Sequence, residues 1–227
     1  METTLHKQLK EHYSTKRSEL EVRVDGFIID IVDGNRLIEI QRSGLSSIRS
    51  KIQKLLNNNH KVEVVKPLVV RKRLVKLSQK DGSVVDSRWS PKRGGPLDMF
   101  EELLYFTRVF PHPNLKLICP LIEIEEVRFP GHGRRRRRRK NDFQVKDRTL
   151  SSITKGQTYR TIADLHKLLP KRLPKEFDTG ELADRLGVKR WQAQKIAYCL
   201  RKTGSAKQVG KRGNAILHQL VKRRKAA

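Results

Sequence analysis

The sequence predicts an α/β (α+β) chain in which a domain built on a mixed central sheet is followed by a smaller, mainly helical one. Three observations carry that expectation. Apolar runs of strand length recur through the first half and are punctuated by Asp-Gly turns. Between them lie segments with apolar residues at helical spacing. Beyond residue 158 the pattern becomes short helices with glycine stops, then a Gly-bounded pair of strand-like runs. Strands mixed with helices in this way favour helices packed on a sheet.

Taken in order, Leu5–Tyr13 reads as a short helix and Leu20–Val24 as a strand or its approach. Residues 26–32, GFIIDIV, form a strand; Asp33-Gly34-Asn35 turns the chain, and Arg36–Gln41 returns as a second strand. Leu45, Ile48, Ile52, Leu55 and Leu56 share one face of a helix over 45–56. Val62–Val70 is a further strand, touched by Pro67. Leu74–Leu77 and Ser83–Asp86 flank Lys80-Asp81-Gly82 as another hairpin. A helix is expected over Pro96–Phe110, with Gly95 and Pro96 at its start and acidic residues in its early turns. Leu115–Val127 closes the first domain as a strand. Glu123, Glu125 and Glu126 alternate there with Ile122 and Ile124 and read as a solvated face. The stretch PGHGRRRRRRKNDFQVKDR, residues 130–148, repels itself and offers little to bury. The expected organisation is a first domain over 1–129, a basic linker over 130–157 and a second domain over 158–227.

One cluster in the first hairpin invites a chemical reading. Asp25 precedes the first strand, while Glu39 and Gln41 lie two apart on the second and share a face. Asp25 and Asp33 also fit plain turn positions, and Glu39 a solvated strand face. Asp30 has the opposite parity to Asp25 and fits a solvent-facing position. An acid, a hairpin, then acid-x-polar on the next strand resembles the PD-(D/E)xK nuclease superfamily, which includes restriction-endonuclease-like and Holliday-junction resolvase-like members. The resemblance covers roughly residues 1–70 and implies a restriction-endonuclease-like fold. It matches Asp25 and Glu39 to the acids, Gln41 to the lysine position and Glu11 to an acid on the preceding helix. It further implies that Asp25, Glu39 and the Ile40 carbonyl hold Mg²⁺ or Mn²⁺ beside a scissile phosphate. Gln41 departs from the pattern, because an amide neither takes up a proton nor carries charge. Arg88 and Lys92, before the long helix, are the candidates to meet a phosphate in its place.

The last region is similar to winged helix-turn-helix domains over residues 158–221. Thr161–Leu169 supplies a packing helix, and Asp178 with Glu181 forms a capping box for the next. Gly187 stops that helix and Val188 plugs the turn. Lys189–Lys202 is then the recognition helix, with Ala193, Ile196, Ala197 and Leu200 inward. Arg190 and Gln194 are candidate base readers; Lys189 and Lys195 are candidate phosphate contacts. Residues 210–214, with Lys211 and Arg212, read as a basic wing between two strands.

The formal net charge is +27, from 51 basic and 24 acidic residues. A polyanionic partner offsets such self-repulsion, and nucleic acid is the natural one. A membrane is disfavoured, because the N-terminus lacks an apolar segment and nowhere do eighteen apolar residues run together. The two cysteines, Cys119 and Cys199, sit in apolar contexts without metal spacing. The expected protein is cytoplasmic and DNA-associated. It is read as a metal-dependent endonuclease positioned on double-stranded or branched DNA by its last domain. Arg134, Arg135, Arg136, Arg137, Arg138 and Arg139 would embrace the backbone. RNA stays open as a partner, and cutting both strands would suit a homodimer. The alternative is a noncatalytic DNA-binding protein or transcriptional regulator with a degenerate nuclease fold.

Overall fold

The computed structural model describes residues 3–79, 81–131 and 143–221. The arginines at 134–139 lie outside the described residues. The architecture is a mixed α/β fold around a central mixed sheet. Helix α1 (Thr4–Tyr13) precedes a meander of β1 (Glu19–Val24), β2 (Phe27–Asp33) and β3 (Arg36–Ile40). A 3-10 turn, Leu45–Ile48, leads into α2 (Arg49–Asn57) and then β4 (Lys61–Val65), parallel to β3. Strands β5 (Leu68–Leu77) and β6 (Val84–Trp89) form a hairpin, and β7 (Leu115–Pro130) follows α3 (Met99–Leu103). Strand β7 runs parallel to both β4 and β5 and antiparallel to β8 (Phe143–Tyr159). The β4 and β5 ladders follow one another along one edge of β7, with β8 on the other.

Several elements differ from the sequence expectation for identifiable reasons. The strand expected over 62–70 is interrupted at Lys66-Pro67, where proline has no amide to give to the ladder. Buried Lys66 uses the break: its ammonium reaches the Ser43 carbonyl at 2.8 Å and Glu102 at 3.1 Å. The helix expected over Pro96–Phe110 ends at Leu103. Tight turns take over, with the Phe106 amide donating to Leu103 O at 2.8 Å and Val109 to Phe106 O at 3.0 Å. Phe106, Val109 and Phe110 enter the core from these turns. Residues 143–157, assigned to the linker, belong to β8. Charge repulsion belongs to the arginine block alone, whereas 143–157 carries backbone donors and apolar side chains that β7 can pair and cover. Strand β8 approaches β7 so closely at Gly156 that a Cβ there would meet the Cys119 carbonyl.

After β8 come α4 (Ile162–His166), α5 (Thr179–Leu186), α6 (Arg190–Lys202) and a hairpin of β9 (Ala206–Arg212) and β10 (Ala215–Leu220). Asp178 caps α5 by accepting from the Gly180 and Glu181 amides at 2.7 and 2.9 Å. Gly187 ends it at φ +64°, a left-handed conformation that glycine adopts without Cβ strain. The β9–β10 strands run up to Arg212, so the basic loop expected over 210–214 is mostly paired strand.

Two apolar clusters hold the molecule together. On one face Leu5 and Leu9 of α1 cover Ile31, Ile38, Ile40, Val65, Ile122 and Ile124. On the other, one continuous cluster runs from Ile29, Leu37 and Leu55 through Met99, Phe100 and Leu103 to Ile196, Cys199 and Leu200. The two regions therefore share a core and are not joined merely by a linker. Cys119 and Cys199 both sit in it, with Cys119 Sγ against Met99 Sδ at 3.3 Å and Cys199 Sγ 3.4 Å from Phe100 O. Burial pushes both thiols up to about 12.

Glu126, read as solvated, is 1% exposed. Lys72 and Arg148 reach its carboxylate at 2.9 and 2.7 Å, and Arg128 at 2.6 Å. Burial raises its pKa, but the three cations outweigh burial and hold it at about 2. A depressed acid contributes stability above its unfolded value that is lost as pH falls through the folded one. Acid unfolding should thus steepen between pH 4.5 and about 2. Glu126→Gln should flatten that segment and cost about 3 kcal/mol near neutrality, read by denaturant melts across pH.

Candidate nucleic-acid interface and carboxylate centre

Helix α6 presents two opposed faces. Its apolar face, with Ile196, Cys199 and Leu200, packs on α3. Lys195 lies on that flank: its ammonium meets both Glu101 oxygens at 3.0 and 2.9 Å and stands 4.6 Å from the Trp191 ring. Lys195 thus bridges α6 to α3. The other face exposes Arg190, Gln194, Tyr198 and Arg201, spaced four, four and three residues apart, so they form one stripe. The stripe and Asn214 and Ile216 from the hairpin border an open groove of about 330 Å³. No carboxylate is among its lining residues. His218 lies at its base, buried, with its backbone paired to Phe177 at 2.9 and 2.8 Å. Of the other candidate contacts, Lys189 and Lys211 are exposed, and Arg212 is held by Glu181 at 3.0 Å. Tyr198 and Arg201 were not singled out from sequence, although continuing the spacing from Arg190 and Gln194 leads to them.

The carboxylates expected to pair do not share partners. Asp25 stands in the β1–β2 turn at φ +50° and accepts from Asn58 Nδ2 at 2.8 Å, with His60 Nε2 also at 2.8 Å. Those contacts hold its carboxyl below the usual range. Glu39 is 6% exposed and is ion-paired to Lys51 of α2. The carboxylate near Glu39 is Asp30, whose strand leaves β3 after the Ile31–Ile38 pair. In the gap Asp30 Oδ2 accepts from the Ile40 amide at 2.8 Å, and Oδ1 lies 3.1 Å from His6 Nε2. The Asp30 amide in turn donates to Glu39, so each acid meets the other strand's backbone. Burial pushes Glu39 up more than Lys51 lowers it, and the Asp30 charge adds to the rise. Burial also raises Asp30, but His6 and the Ile40 amide outweigh it and hold it below the usual range.

Gln41 is turned to the following loop, where its amide donates to Ser43 Oγ, Gly44 O and Ser47 Oγ at 2.6, 2.9 and 2.6 Å. Glu11 is exposed on α1. Arg88 is exposed on β6 beside Asp86, and Lys92 is exposed on the loop before α3. The chain at Gly94 packs against β5, where a Cβ would lie 2.2 Å from the Val69 carbonyl. Among the described residues no group of three or more His, Cys, Asp or Glu is arranged to hold a metal ion. No helix among them is long and apolar enough to cross a membrane. Lys51 and Asp30 carried a signal: each is a charge inside an apolar pattern, Lys51 between Ile48 and Leu55 and Asp30 within Phe27–Val32.

Comparison with known proteins places residues 3–160 within a family described as a domain of unknown function (DUF8091), and the chain belongs to it. A protein of Treponema pallidum (strain Nichols), described as uncharacterized, is 32% identical over 221 residues, covering 96% of this chain and 85% of its own. No solved structure matches.

Lys51→Met should strand the buried Glu39 carboxylate and cost about 3–5 kcal/mol in a denaturant melt. Adding Glu39→Gln should recover much of that loss. Additive losses in the double-mutant cycle would show that the two do not interact.

Proposed function

We propose that this DUF8091 member binds duplex DNA through the region beyond the matched residues, with α5, the Gly187 turn, α6 and the β9–β10 hairpin acting as a winged helix-turn-helix. The observation that carries this reading is the Arg190–Gln194–Tyr198–Arg201 stripe, opposite the face that packs on α3. Its long polar side chains suit base edges in a major groove, and the hairpin borders the same groove, where a wing would meet the backbone. The net charge of +27 supplies long-range attraction and predicts steep salt dependence. RNA is the other polyanion this charge would attract. Arg190→Ala and Arg201→Ala should each cost about 1–3 kcal/mol of duplex affinity, measured by fluorescence anisotropy across a salt series. Lys195→Ala should leave affinity nearly unchanged, because Glu101 already engages that ammonium. Wild-type affinity in both arginine variants would rule the groove out as the interface.

A second reading, phosphodiester hydrolysis, is favoured by one specific observation: β2 and β3 part at Asp30 and gather Asp30, Glu39 and Lys51. The order α1-β1-β2-β3-α2-β4 also supports the likeness to restriction-endonuclease-like folds. Two adjacent carboxylates suit Mg²⁺ or Mn²⁺, which takes one or two of them and leaves positions for water and phosphate. Such an ion, when bound, would activate water and neutralise developing charge. Asp30 and Glu39 would hold it, in place of the Asp25–Glu39 pair read from sequence. Lys51 would supply the cation that Gln41 cannot, by turning from Glu39 toward a phosphate oxygen. In cleavage assays on plasmid and branched DNA with Mn²⁺, Asp30→Asn and Glu39→Gln should abolish cutting. They should also abolish Mn²⁺ binding followed by calorimetry, while Asp25→Ala retains both. Absence of Mn²⁺ binding and of cleavage in the wild type would leave a noncatalytic DNA-binding protein.

A further inference from the structure

A separate basic cavity opens where the parallel strands begin. It has a volume of about 190 Å³ and shares no residue with the α6 groove. Arg36 opens β3 and Lys61 opens β4, and the parallel register sets them side by side. Lys116, near the start of β7, stands beside Glu63 in the next register pair, and Arg160 enters as the chain leaves β8. Parallel pairing aligns strands end to end without reversing direction, so cations near three strand starts collect at one rim.

The charges at this rim do not cancel. Glu63 is bonded to Lys116 at 3.0 Å and lies 3.7 Å from Arg36, which also pairs with Asp33. Glu63 and Asp33 thus offset two of the cations and fix their positions. Lys61 and Arg160 form no ion pair within the described residues and leave the rim with surplus positive charge. Asn114 adds a side-chain amide at the same rim.

We infer that this cavity is a phosphate-binding site, in which Lys61 and Arg160 hold a phosphate group and Lys116, Arg36 and Asn114 complete its surroundings. A phosphate group matches the surplus charge and offers several acceptor oxygens to converging donors. The phosphate belongs either to a free ion or to a nucleic-acid backbone. In the second case the site is a contact with DNA beyond the α6 groove.

Calorimetric titration of the full chain with inorganic phosphate in low-salt chloride buffer tests the site. The salt dependence of duplex affinity distinguishes the two sources. The Lys61→Ala/Arg160→Ala double variant should bind inorganic phosphate about tenfold more weakly or worse. The charge-preserving Lys61→Arg/Arg160→Lys variant should retain binding, which separates loss of charge from loss of fold. If the duplex salt slope also falls by about one per lost contact, the phosphate is that of the backbone. If only inorganic phosphate binding weakens, the site takes a free phosphate. Phosphate affinity and duplex salt slope both unchanged in the double alanine variant would overturn the proposal. Because the α6 groove is untouched in these variants, loss of groove binding is scored separately through Arg190→Ala.

Discussion

The packing of α3 against both the sheet and α6 is the constraint on which the rest of the molecule depends. Met99, Phe100 and Leu103 occupy one continuous core with Leu117 and Cys119 below and Ile196, Cys199 and Leu200 above. Apolar burial of this kind is non-directional and strong, about 1.5–3 kcal/mol for each large side chain. Direction comes from polar contacts at its margin. Lys195 grips Glu101, and buried Lys66 ties Glu102 to the loop that follows β3. The exposed face of α6 is thereby held in a set orientation to the sheet. A recognition surface on a freely swinging tether would have to give up that rotational freedom on binding; this one has lost it on folding.

The carboxylate centre follows from a local failure of strand regularity. Glu21 takes a left-handed conformation at φ +55°, and β1 pairs with β2 on either side of it but not at Asp30. Strand β2 then leaves β3, and two acids fill the gap left in the ladder. Each acid satisfies a backbone amide that would otherwise be unpaired, which explains how carboxylates persist in a largely apolar setting. The arrangement is self-consistent as structure, and it also places a buried anion, a second anion and a lysine within reach of one another.

Much of the fold was legible in the residues. The Asp-Gly turns, the apolar face of α2, the Asp178 box and the Gly187 stop all rest on short-range chemistry, and that chemistry reads directly from sequence. The centre was less legible, because strand parity is a short-range rule that a single irregular residue resets. Asp30 was assigned to solvent on parity from Asp25, yet the break at Glu21 and Asp30 turns it toward His6 and the Ile40 amide. Gln41, at the position matched to the lysine, organises the following loop through three acceptors two to six residues ahead, contacts that no local pattern announces. The length of β8 was hidden by the arginine run before it, whose charge dominated the reading of its neighbours. The burial of Glu126 needed partners from three strands, and no local pattern announces those.

The two thiols carry a practical corollary. Both lie in the shared core, sealed from solvent and kept protonated well above neutrality. Thiolate is the form that alkylating reagents attack, so the native chain offers them almost nothing. A lone cysteine placed at an exposed position such as Lys211 or Arg88 would react by itself, without removing the native pair. A fluorophore or spin label could then report the approach of the hairpin or of β6 to a ligand in the otherwise unaltered protein.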